Sequence, residues 1–384
     1  MIVGIICEYN PLHLGHLHQL EAIREKFGPE TEIVCLMSGS FVQRGQPAIL
    51  DKSLRAKAAV SCGADLVLEL PITASLSSAE GFASAGVRIL SKICDKLCFG
   101  AESGTEETLM RTARALLSPA FSCYLKENLQ KGLSFPAARQ LALGQMGFSD
   151  ALVSSPNDIL AVEYCKAILS QHSPMGIFPI RRAGSYHAES ADAENPSATS
   201  VRSLMLTSGL WLDYVPEPAR DCFRGASLHT AAAGERAMLA RLRTMTDAEF
   251  EALPYGSEGL WRKLMHAVRE RSSLEGILTG AKSKRYTRTR LDRMVMCAFL
   301  GITAENLTAL PPYTRILAFT DRGRRILSLH REEAGLVNTG EAQNHPYWLL
   351  EQRAQDLYGL FCTDAPEPPG REPRRRIYYR KDES

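Results

Sequence analysis

Residues 2–16 constrain what this chain can fold into more than any other stretch of it. Residues 2–6 form an apolar run rich in β-branched side chains, which predicts a buried strand. Asn10-Pro11 ends the run, because the residue before a proline is driven out of the helical conformation. Residues 17–23 then continue as an amphipathic helix. The chain is therefore predicted to begin with a strand, a tight turn and a helix.

Two histidines and a glycine lie where the predicted helix begins. The first turn of a helix carries free N–H groups and the positive end of the helix dipole, and together they attract anions. His13 and His16 add imidazoles that can bond phosphate oxygens, and Gly15 lets a ligand approach the backbone closely. Two surface histidines beside a turn are the alternative. The strand, turn and helix supply the context that the motif requires, so we predict a phosphate site here.

Composition sets the outer bounds of the fold. A chain of 384 residues is long enough for two or three domains. With 45% hydrophobic and 23% charged residues it is typical of an ordinary globular protein. Because the formal net charge is only +2, any affinity for nucleic acid must come from local patches.

The cysteines and the absence of long apolar runs predict a cytoplasmic protein. Ten cysteines are scattered along the chain, and only Cys94 and Cys98 are close, at a spacing that is not typical of zinc sites. We therefore predict a reducing compartment and no metal site. Glu8 interrupts the first apolar run before it could form a signal peptide, and no apolar run approaches the length that spans a membrane.

In the first half of the chain, predicted strands alternate with predicted helices. Further buried apolar runs predict strands at residues 32–37, 65–70, 96–100 and 176–182, and helices are predicted at residues 51–63, 78–91 and over much of 105–147. This alternation requires a parallel sheet with right-handed crossovers. Ligands bind such sheets beyond the carboxyl ends of the strands, which is where the histidine turn, Ser38 and Gly100 are expected.

A second phosphate motif is predicted at residues 197–202. Ser197 and Thr199 open a helix, and Arg202 follows one turn later. The hydroxyls and free N–H groups suit β- and γ-phosphate oxygens, and the guanidinium would neutralise a leaving pyrophosphate. Alone, this pattern is more often a helix cap with a surface arginine. Asn157, near the start of an earlier predicted helix, fits a nucleotide-binding amide and a helix cap about equally well.

The second half, from about residue 206, has the apolar spacing of helices and one strongly basic segment. Between Lys282 and Arg293 there are six cations and one acidic residue, with Tyr286 among them. Charge of one sign around an aromatic ring suits RNA phosphate contacts and base stacking, whereas a solvated helix face is the alternative. We predict RNA binding at Lys284, Arg285, Arg288 and Arg290. Further along the chain, the surface is expected to be extended by Arg315, Arg322, Arg324 and Arg325.

The strand, the turn and the His-x-Gly-His motif resemble the signature of the nucleotidylyltransferase and class I aminoacyl-tRNA synthetase superfamily. Members direct attack on the α-phosphate of a nucleoside triphosphate and release pyrophosphate. Further motifs narrow the resemblance to the bacterial tRNA(Met) cytidine acetate ligase family. They lie in order over most of the chain, at residues 8–16, 37–47, 65–71, 99–102, 155–157, 182, 186–187, 197–202 and 284–290. Leu14 and Cys7 depart from the family's usual residues, and the chain beyond Pro366 has no family counterpart.

This resemblance implies a Rossmann-like α/β nucleotidylyltransferase domain followed by a mainly helical domain. It implies activation of acetate by ATP, with Mg²⁺ accompanying the nucleotide, and acetylation of N4 of the wobble cytidine in elongator tRNA(Met). It assigns catalytic roles to His13, His16 and Arg182. It places ATP-binding positions at Ile6, Cys7, Glu8, Tyr9, Asn10, Pro11, His13, Gly15, His16, Gly100, Asn157, Arg182, Ser197, Thr199 and Arg202.

The chain is expected to divide into three segments. Residues 1–205 would form the ATP-binding domain, residues 206–365 a mainly helical, basic, tRNA-binding domain, and residues 366–384 a Pro-rich linker with a flexible basic tail.

Two other functions are alternatives to acetate ligation. A small-molecule adenylyltransferase would share the catalytic motifs but has no obvious use for the basic helical half. A non-catalytic RNA-binding protein would have no need of both phosphate motifs.

Overall fold

A computed structural model describes residues 1–149, 151–181, 197–207, 209–283, 285–309 and 312–381. Two short strands, β3 and β4, pair only with each other, and the other strands of the described chain share one sheet. The strands are β1 Ile2–Cys7, β2 Glu32–Ser38, β3 Phe41–Val42, β4 Gln46–Pro47, β5 Leu66–Leu70, β6 Lys96–Ala101, β7 Gly176–Arg181, β8 Thr314–Thr320, β9 Leu336–Val337 and β10 Tyr378–Arg380.

Helices make up most of the rest of the described chain. Those of the first half are α1 Leu14–Phe27, α2 Lys52–Ser61, α3 Ile72–Ser75, α4 Ala79–Leu90, α5 Glu106–Leu116, α6 Pro119–Gln130, α7 Phe135–Gln145, α8 Pro156–Ser170 and α9 Ala198–Thr207. Those of the second half are α10 Glu217–Phe223, α11 Glu235–Thr244, α12 Asp247–Glu251, α13 Leu260–Glu270, α14 Leu274–Ala281, α15 Arg288–Leu300, α16 Ala304–Thr308, α17 Asp321–His330, α18 Thr339–Ala342 and α19 Tyr347–Tyr358. Among the residues that the structure describes, no helix has the length and apolar character that crossing a bilayer requires.

The central sheet has the strand order β10-β8-β5-β2-β1-β6-β7. The strands β5, β2, β1, β6 and β7 are parallel to one another, as the alternation of strands and helices predicts. From β1 the chain first builds outward through β2 and β5, and then returns to the other side of β1 with β6. The strand order therefore reverses between β1 and β6, and this switch point is where such sheets bind ligands.

The two faces of β1 belong to two different cores. Val3 and Ile5 pack with apolar residues of α1, α2, α9 and α10. Ile6 points to the opposite face and packs with α4, α5 and α8. A strand covered on both sides has no need of polar residues, which explains the continuous apolar run that predicts it. A third core, built mainly from α11 and α13–α15, belongs to the second half of the chain.

The second half also contributes strands to the sheet, which the sequence does not predict. β8 pairs antiparallel with β5, and β10 pairs parallel with β8 at the edge of the sheet. The expectation of a linker and a flexible tail at residues 366–384 is therefore wrong for residues 378–380. Arg375, in the same segment, has a side chain only 9% exposed and pairs with Asp51 at the start of α2, with 2.7 Å between Nη1 and Oδ1.

A buried charge cluster joins the second half and the tail to the nucleotide half. Lys52 Nζ lies 2.7 Å from Glu69 Oε1 and 2.6 Å from Glu372 Oε1. Arg315 contacts Glu69 and Glu372, and its Nε lies 3.3 Å from Oε2 of Glu351. Arg315 is thus fully engaged inside the protein, and the prediction that it extends an RNA surface is wrong. Its charge is needed there to compensate the buried carboxylates.

Burial raises the pKa of the Glu351 carboxyl to about 7, although Arg315 opposes that rise. In the neighbouring Glu372, burial is outweighed by Lys52 and Arg315, which hold the pKa of that carboxyl well below its ordinary value. Burial disfavours the charged form of both groups, so the number of nearby cations decides which carboxyl ionises. Of these two carboxyls, Glu351 is therefore the one whose pKa lies near neutral pH.

Candidate active site

The predicted strand, turn and helix are present, and they bring His13 and His16 together. His13 is buried and caps α1: its Nδ1 accepts a hydrogen bond from Gly15 N at 3.2 Å. His16 Nδ1 accepts a hydrogen bond from His13 N, also at 3.2 Å. The two side chains form a reciprocal capping box, with ring centroids 3.8 Å apart. The histidines thus begin the helix and at the same time face its positive end.

These hydrogen bonds determine which ring nitrogen carries the proton. Because Nδ1 is the acceptor in both rings, each neutral imidazole must hold its hydrogen on Nε2. Each Nε2–H group can donate, and the two rings lie beside each other at the N-terminus of a 14-residue helix, with centroids 3.8 Å apart. Such a pair of donors is suited to an anion such as phosphate.

The turn before the helix is held by side chains from other elements. Asn10 Oδ1 accepts a hydrogen bond from Ile49 N at 2.7 Å. The hydroxyl of Tyr9 lies 3.4 Å from Cys35 Sγ in β2, and its ring meets the edge of His16 at 5.0 Å between centroids. Tyr9 has a left-handed φ of 43°, which costs a non-glycine residue about 1–2 kcal/mol. The turn therefore depends on these contacts to keep its shape.

Arg55 is a supporting residue that none of the sequence motifs indicates. It lies in α2 with 0% exposure and donates to the carbonyl oxygens of Leu50 at 2.9 Å, Glu8 at 2.6 Å and Ser38 at 3.0 Å. It also donates to the carbonyl of Gly39. One guanidinium therefore ties together the carboxyl ends of β1 and β2. Nothing in the local sequence distinguishes it from a surface arginine on a predicted helix.

The second phosphate motif meets the first one. Arg202 Nη1 donates a 2.7 Å hydrogen bond to the carbonyl oxygen of Asn10, and its Nη2 lies 3.1 Å from Thr199 Oγ1. Ser197 caps the first turn of α9 by accepting from Ser200 N at 3.0 Å. The side chains predicted to hold the triphosphate are therefore attached to the histidine turn.

The residues predicted on β6 and α8 lie on the other side of the switch point. Gly100 is in β6, the neighbour of β1. Asn157 Nδ2 donates to Glu102 Oε1 at 2.8 Å, and Asp158 accepts from Glu102 N, also at 2.8 Å. Ser155, not Asn157, supplies the side-chain cap of α8. Asn157 is thereby left in the first turn of α8, and the helix-cap interpretation of it is wrong.

Of the remaining predicted site residues, the structure describes those at the end of β1 but not Arg182. Ile6 is buried within β1, and Cys7 is the last residue of that strand. Glu8 follows the strand, and its Oε1 accepts from Gln43 N at 2.8 Å. Burial raises the pKa of the Glu8 carboxyl. Arg182 comes directly after β7 and lies outside the described residues.

The basic segment forms ion pairs within the second half. Arg285 Nη2 lies 3.0 Å from Glu258 Oε1, and Arg290 Nη1 lies 3.8 Å from the other oxygen of the same carboxylate. Arg288 pairs with Glu275 at 2.7 Å and with Asp292 at 3.0 Å.

The ring of Tyr286 contacts two cations, Arg290 of the basic segment and Lys263 of α13, with 5.4 Å and 5.5 Å from their charged groups to the ring centroid. Its exposure is only 4%, and its hydroxyl donates to the carbonyl of Glu258 at 2.5 Å. A base cannot stack on a ring that is buried in this way, so the expectation of stacking at Tyr286 is wrong. Lys284 lies outside the described residues.

Comparisons with known proteins agree with this geometry. A family model described as HIGH Nucleotidyl Transferase matches residues 1–370. The tRNA(Met) cytidine acetate ligase of Acetivibrio thermocellus is 35% identical over 360 residues, which covers 87% of this chain and 86% of that protein. The protein of the same name from Alkaliphilus metalliredigens is 36% identical over 424 residues, with 99% of both chains covered.

Two solved structures share the whole fold. Thermotoga maritima TmcAL in its apo form superposes with a TM-score of 0.91 at 30% identity and covers 99% of this chain. The same protein bound with alpha-thio ATP superposes with a TM-score of 0.89 at 30% identity, with 99% of this chain and 100% of that one covered. The similarity therefore includes both halves of the molecule and extends into the tail, so the expectation that the chain beyond Pro366 has no family counterpart is wrong.

Proposed function

Since the chain belongs to the tRNA(Met) cytidine acetate ligase family of HIGH nucleotidyl transferases, we propose that its histidine turn activates acetate with ATP for transfer to a tRNA cytidine. The enzyme is a ligase that uses ATP to join acetate to tRNA. The observation that carries the proposal is the pair of imidazole rings, 3.8 Å apart between centroids, at the N-terminus of α1 and at the switch point of the sheet. The small-molecule adenylyltransferase and the non-catalytic RNA-binding protein are not supported.

The chemistry requires an activated carboxylate. Acetate is a poor electrophile, and the exocyclic N4 amine of cytosine is a poor nucleophile. Attack of an acetate oxygen on the α-phosphate of ATP forms acetyl-adenylate and releases pyrophosphate. The N4 amine then attacks the acetyl carbon, AMP leaves, and the amine loses a proton. We propose the wobble cytidine of elongator tRNA(Met) as the acceptor.

His13 and His16 would act as electrostatic donors in the first step. Negative charge builds on the α-phosphate oxygens as the acetate oxygen attacks, and two fixed N–H donors stabilise that charge without reorganising. Their Nδ1 atoms are engaged in capping α1, so the rings are held in place before the nucleotide arrives. The histidines therefore need not transfer a proton.

Ser197, Thr199 and Arg202 would hold the β- and γ-phosphates. Arg202 is fixed by the carbonyl of Asn10 and by Thr199, so its charge is positioned next to the histidine turn. Holding the triphosphate in line with the attacking oxygen lowers the activation barrier, because the reacting groups are already oriented for attack. We propose that Arg182 contributes a second cation, and that Gly100 and Asn157 border the nucleoside from the β6 side.

Mg²⁺ would accompany ATP rather than occupy a site made by the protein. This ion takes many of its oxygens from water and from substrate phosphates, and it needs only one or two carboxylates. Glu8, the carboxylate that directly follows β1, already accepts from Gln43 N, and burial raises its pKa. We therefore assign no protein ligand to the ion.

The tRNA would contact the second half of the chain. We propose that residues 1–205 carry most of the nucleotide site and that residues 206–365 present the basic segment at Lys284, Arg285, Arg288 and Arg290. RNA phosphates would replace Glu258 and Glu275 as partners of these arginines. Because the substrate is tRNA and all ten cysteines are free thiols, we place the reaction in the cytoplasm.

Incubation with ATP and labelled acetate, with and without total tRNA, tests the proposal. We expect acetyl-adenylate and pyrophosphate with acetate alone, and labelled N4-acetylcytidine when tRNA is added. Adenylation of another small molecule, with acetate inert, would instead indicate an adenylyltransferase. Binding of tRNA without any ATP turnover would indicate a protein that only binds RNA.

A further inference from the structure

Three potential metal ligands meet where the last residues of the helical half contact the nucleotide half. They are His229, Cys362 and Glu367, and one ligand atom from each lies within 4.8 Å of the other two. His229 and Cys362 face each other in an isolated antiparallel bridge, and Thr363 N donates to the carbonyl of Leu228 at 2.8 Å. The backbone therefore holds the first two ligands in register.

The imidazole of His229 has no hydrogen-bond partner within the described residues. The residue is only 2% exposed, and neither Nδ1 nor Nε2 makes a hydrogen bond. Its ring stacks on Tyr358, with centroids 4.1 Å apart and planes 14° apart. Nε2 and Glu367 Oε2 are 3.3 Å apart, yet they are not aligned as a hydrogen bond. A buried polar ring with neither nitrogen bonded is costly, so this environment requires an explanation.

We propose that His229, Cys362 and Glu367 bind one Zn²⁺ ion, with water as the fourth ligand. An imidazole nitrogen, a thiolate and a carboxylate oxygen are the ligands that Zn²⁺ uses in proteins. Tetrahedral Zn²⁺ with bonds of about 2.0–2.3 Å places its ligand atoms roughly 3.3–3.8 Å apart. The separation of 3.3 Å between His229 Nε2 and Glu367 Oε2 already matches that spacing.

Glu367 is the ligand through which the ion would enter. Its side chain is partly exposed, and it forms an ion pair with Arg371, whose own side chain reaches solvent. Zn²⁺ would take the place of that guanidinium. Arg371 therefore competes with the metal, and its removal should strengthen metal binding.

The proposed site would stabilise the turn that carries the catalytic histidines. His229 N donates to the carbonyl of Ile49 at 2.9 Å, and Ile49 N donates in turn to Asn10 Oδ1. Asn10 belongs to the turn that carries His13. A metal that fixes His229 to the segment at residues 362–367 would therefore hold the loop on which Asn10 depends.

Titration of metal-free, full-length protein with Co²⁺ tests the proposal, because a thiolate bound to Co²⁺ gives a charge-transfer band in the near ultraviolet. We expect one equivalent to produce that band, and Zn²⁺ to abolish it by displacement. Cys362→Ser should abolish the band and weaken Zn²⁺ binding at least about tenfold, since loss of a second-shell partner alone costs 10–100-fold. Arg371→Ala should tighten binding. Cys123→Ser, at an exposed cysteine, is the matched control and should behave as wild type.

Three outcomes would overturn the site. The first is a folded wild-type protein, judged by circular dichroism, that gives no band and no Zn²⁺-dependent rise in its thermal midpoint. The second is a band that survives Cys362→Ser. The third is weaker metal binding in Arg371→Ala, which would mean that Arg371 supports the cluster instead of competing with the metal. None of these measurements uses acetate or tRNA, so they are independent of the proposed enzymatic activity.

Discussion

Arg202 donates a hydrogen bond of 2.7 Å to the main-chain oxygen of Asn10, although 192 residues separate them along the chain. The bond attaches the second phosphate motif to the first one before any nucleotide binds. It also places a fixed positive charge beside the turn that carries His13. Preorganisation of this kind lowers the cost of orienting a triphosphate for in-line attack.

Substitutions that keep the helix cap but remove the imidazole should separate catalysis from folding. Asn is among the best N-cap residues and Gln is a usual partner in a capping box, so His13→Asn and His16→Gln should leave α1 intact. Each should lower acetate-dependent pyrophosphate release on the order of 10²–10³-fold, the usual cost of losing one preorganised donor. Thermal unfolding should remain close to that of the wild type.

His13→Ala is the comparison for these variants, because it removes the cap as well as the imidazole. It should lose activity in the same way and also about 1 kcal/mol in the free energy of unfolding. Full pyrophosphate release by His13→Asn would contradict the role of the imidazole.

Arg202→Ala should weaken ATP binding and leave tRNA binding almost unchanged. Hydrogen bonds to charged groups contribute about 1.5–3 kcal/mol, which corresponds to a rise of roughly 10–150-fold in the Kd for ATP. Isothermal titration with ATP and a separate tRNA binding assay would measure the two affinities. Arg224→Ala, at an exposed arginine directly after α10, is the control and should change neither affinity. Equal loss of both affinities would mean a folding defect or a direct RNA contact.

Replacement of Arg285, Arg288 and Arg290 by alanine should impair cytidine acetylation but not acetate-dependent pyrophosphate release. Contacts with RNA phosphates release counterions, so tRNA affinity should fall steeply with salt. The slope of log K against log[salt] should become shallower by slightly less than one for each phosphate that loses its arginine. Titration of tRNA at two salt concentrations would measure this slope.

Glu258→Gln is the opposite test of the basic segment. It removes the carboxylate that pairs with the exposed Arg285, so this arginine becomes available for phosphate and tRNA binding should tighten. Arg290 keeps its hydrogen bonds to Tyr255 O and Ser257 Oγ in this variant. An unchanged affinity in this variant and an unchanged salt slope in the triple variant would exclude the segment as the RNA site.

Glu351→Gln should change how stability depends on pH. Burial raises the pKa of Glu351 to about 7 from an ordinary value of 4.5. Between these two values the folded protein holds a proton that the unfolded chain has released, so this carboxyl makes the free energy of unfolding fall as pH rises. Glutamine cannot titrate, so the free energy of unfolding of the variant should not show this fall. Between about pH 5 and pH 8 it should rise relative to that of the wild type by more than about 1.4 kcal/mol, which corresponds to one pKa unit.

Urea denaturation at both pH values would measure this difference, with Glu332→Gln, at an exposed glutamate, as the control. Stability profiles that stay parallel from acid to neutral pH would contradict the raised pKa of Glu351. They would mean that Arg315 keeps this carboxyl ionised throughout the range.

The parallel part of the sheet and the histidine turn were predictable because their signals are local. Each buried parallel strand is a short apolar run that ends at polar or turn residues, and His13 and His16 directly follow one of them. The meeting of Arg202 with Asn10 was not predictable from spacing alone, since it depends on how α9 packs against the sheet. The family resemblance, carried by both motifs, supplied that connection.

The predictions failed where charged side chains are buried. Arg55, Arg315 and Arg375 resemble surface arginines in the sequence, because their partners are backbone carbonyls or carboxylates far away in the chain. β10 is a short, polar edge strand that follows prolines, which is also the composition of a flexible tail. In each case a tertiary contact outweighed the local pattern.

The ion pair between Asp51 and Arg375 also affects the order in which contacts form during synthesis and folding. The two residues are 324 positions apart, so a ribosome delivers the start of α2 long before it delivers the counter-ion of Asp51. Glu372, which pairs with Lys52, is likewise synthesised long after it. Contacts so distant in sequence form late and slow the completion of folding. A nascent chain that stalls before residue 372 would leave β8 without its edge strand β10. It would also leave Asp51 and Lys52, at the start of α2, without Arg375 and Glu372. Synthesis of residues 372–380 and maturation of the nucleotide site are thereby coupled.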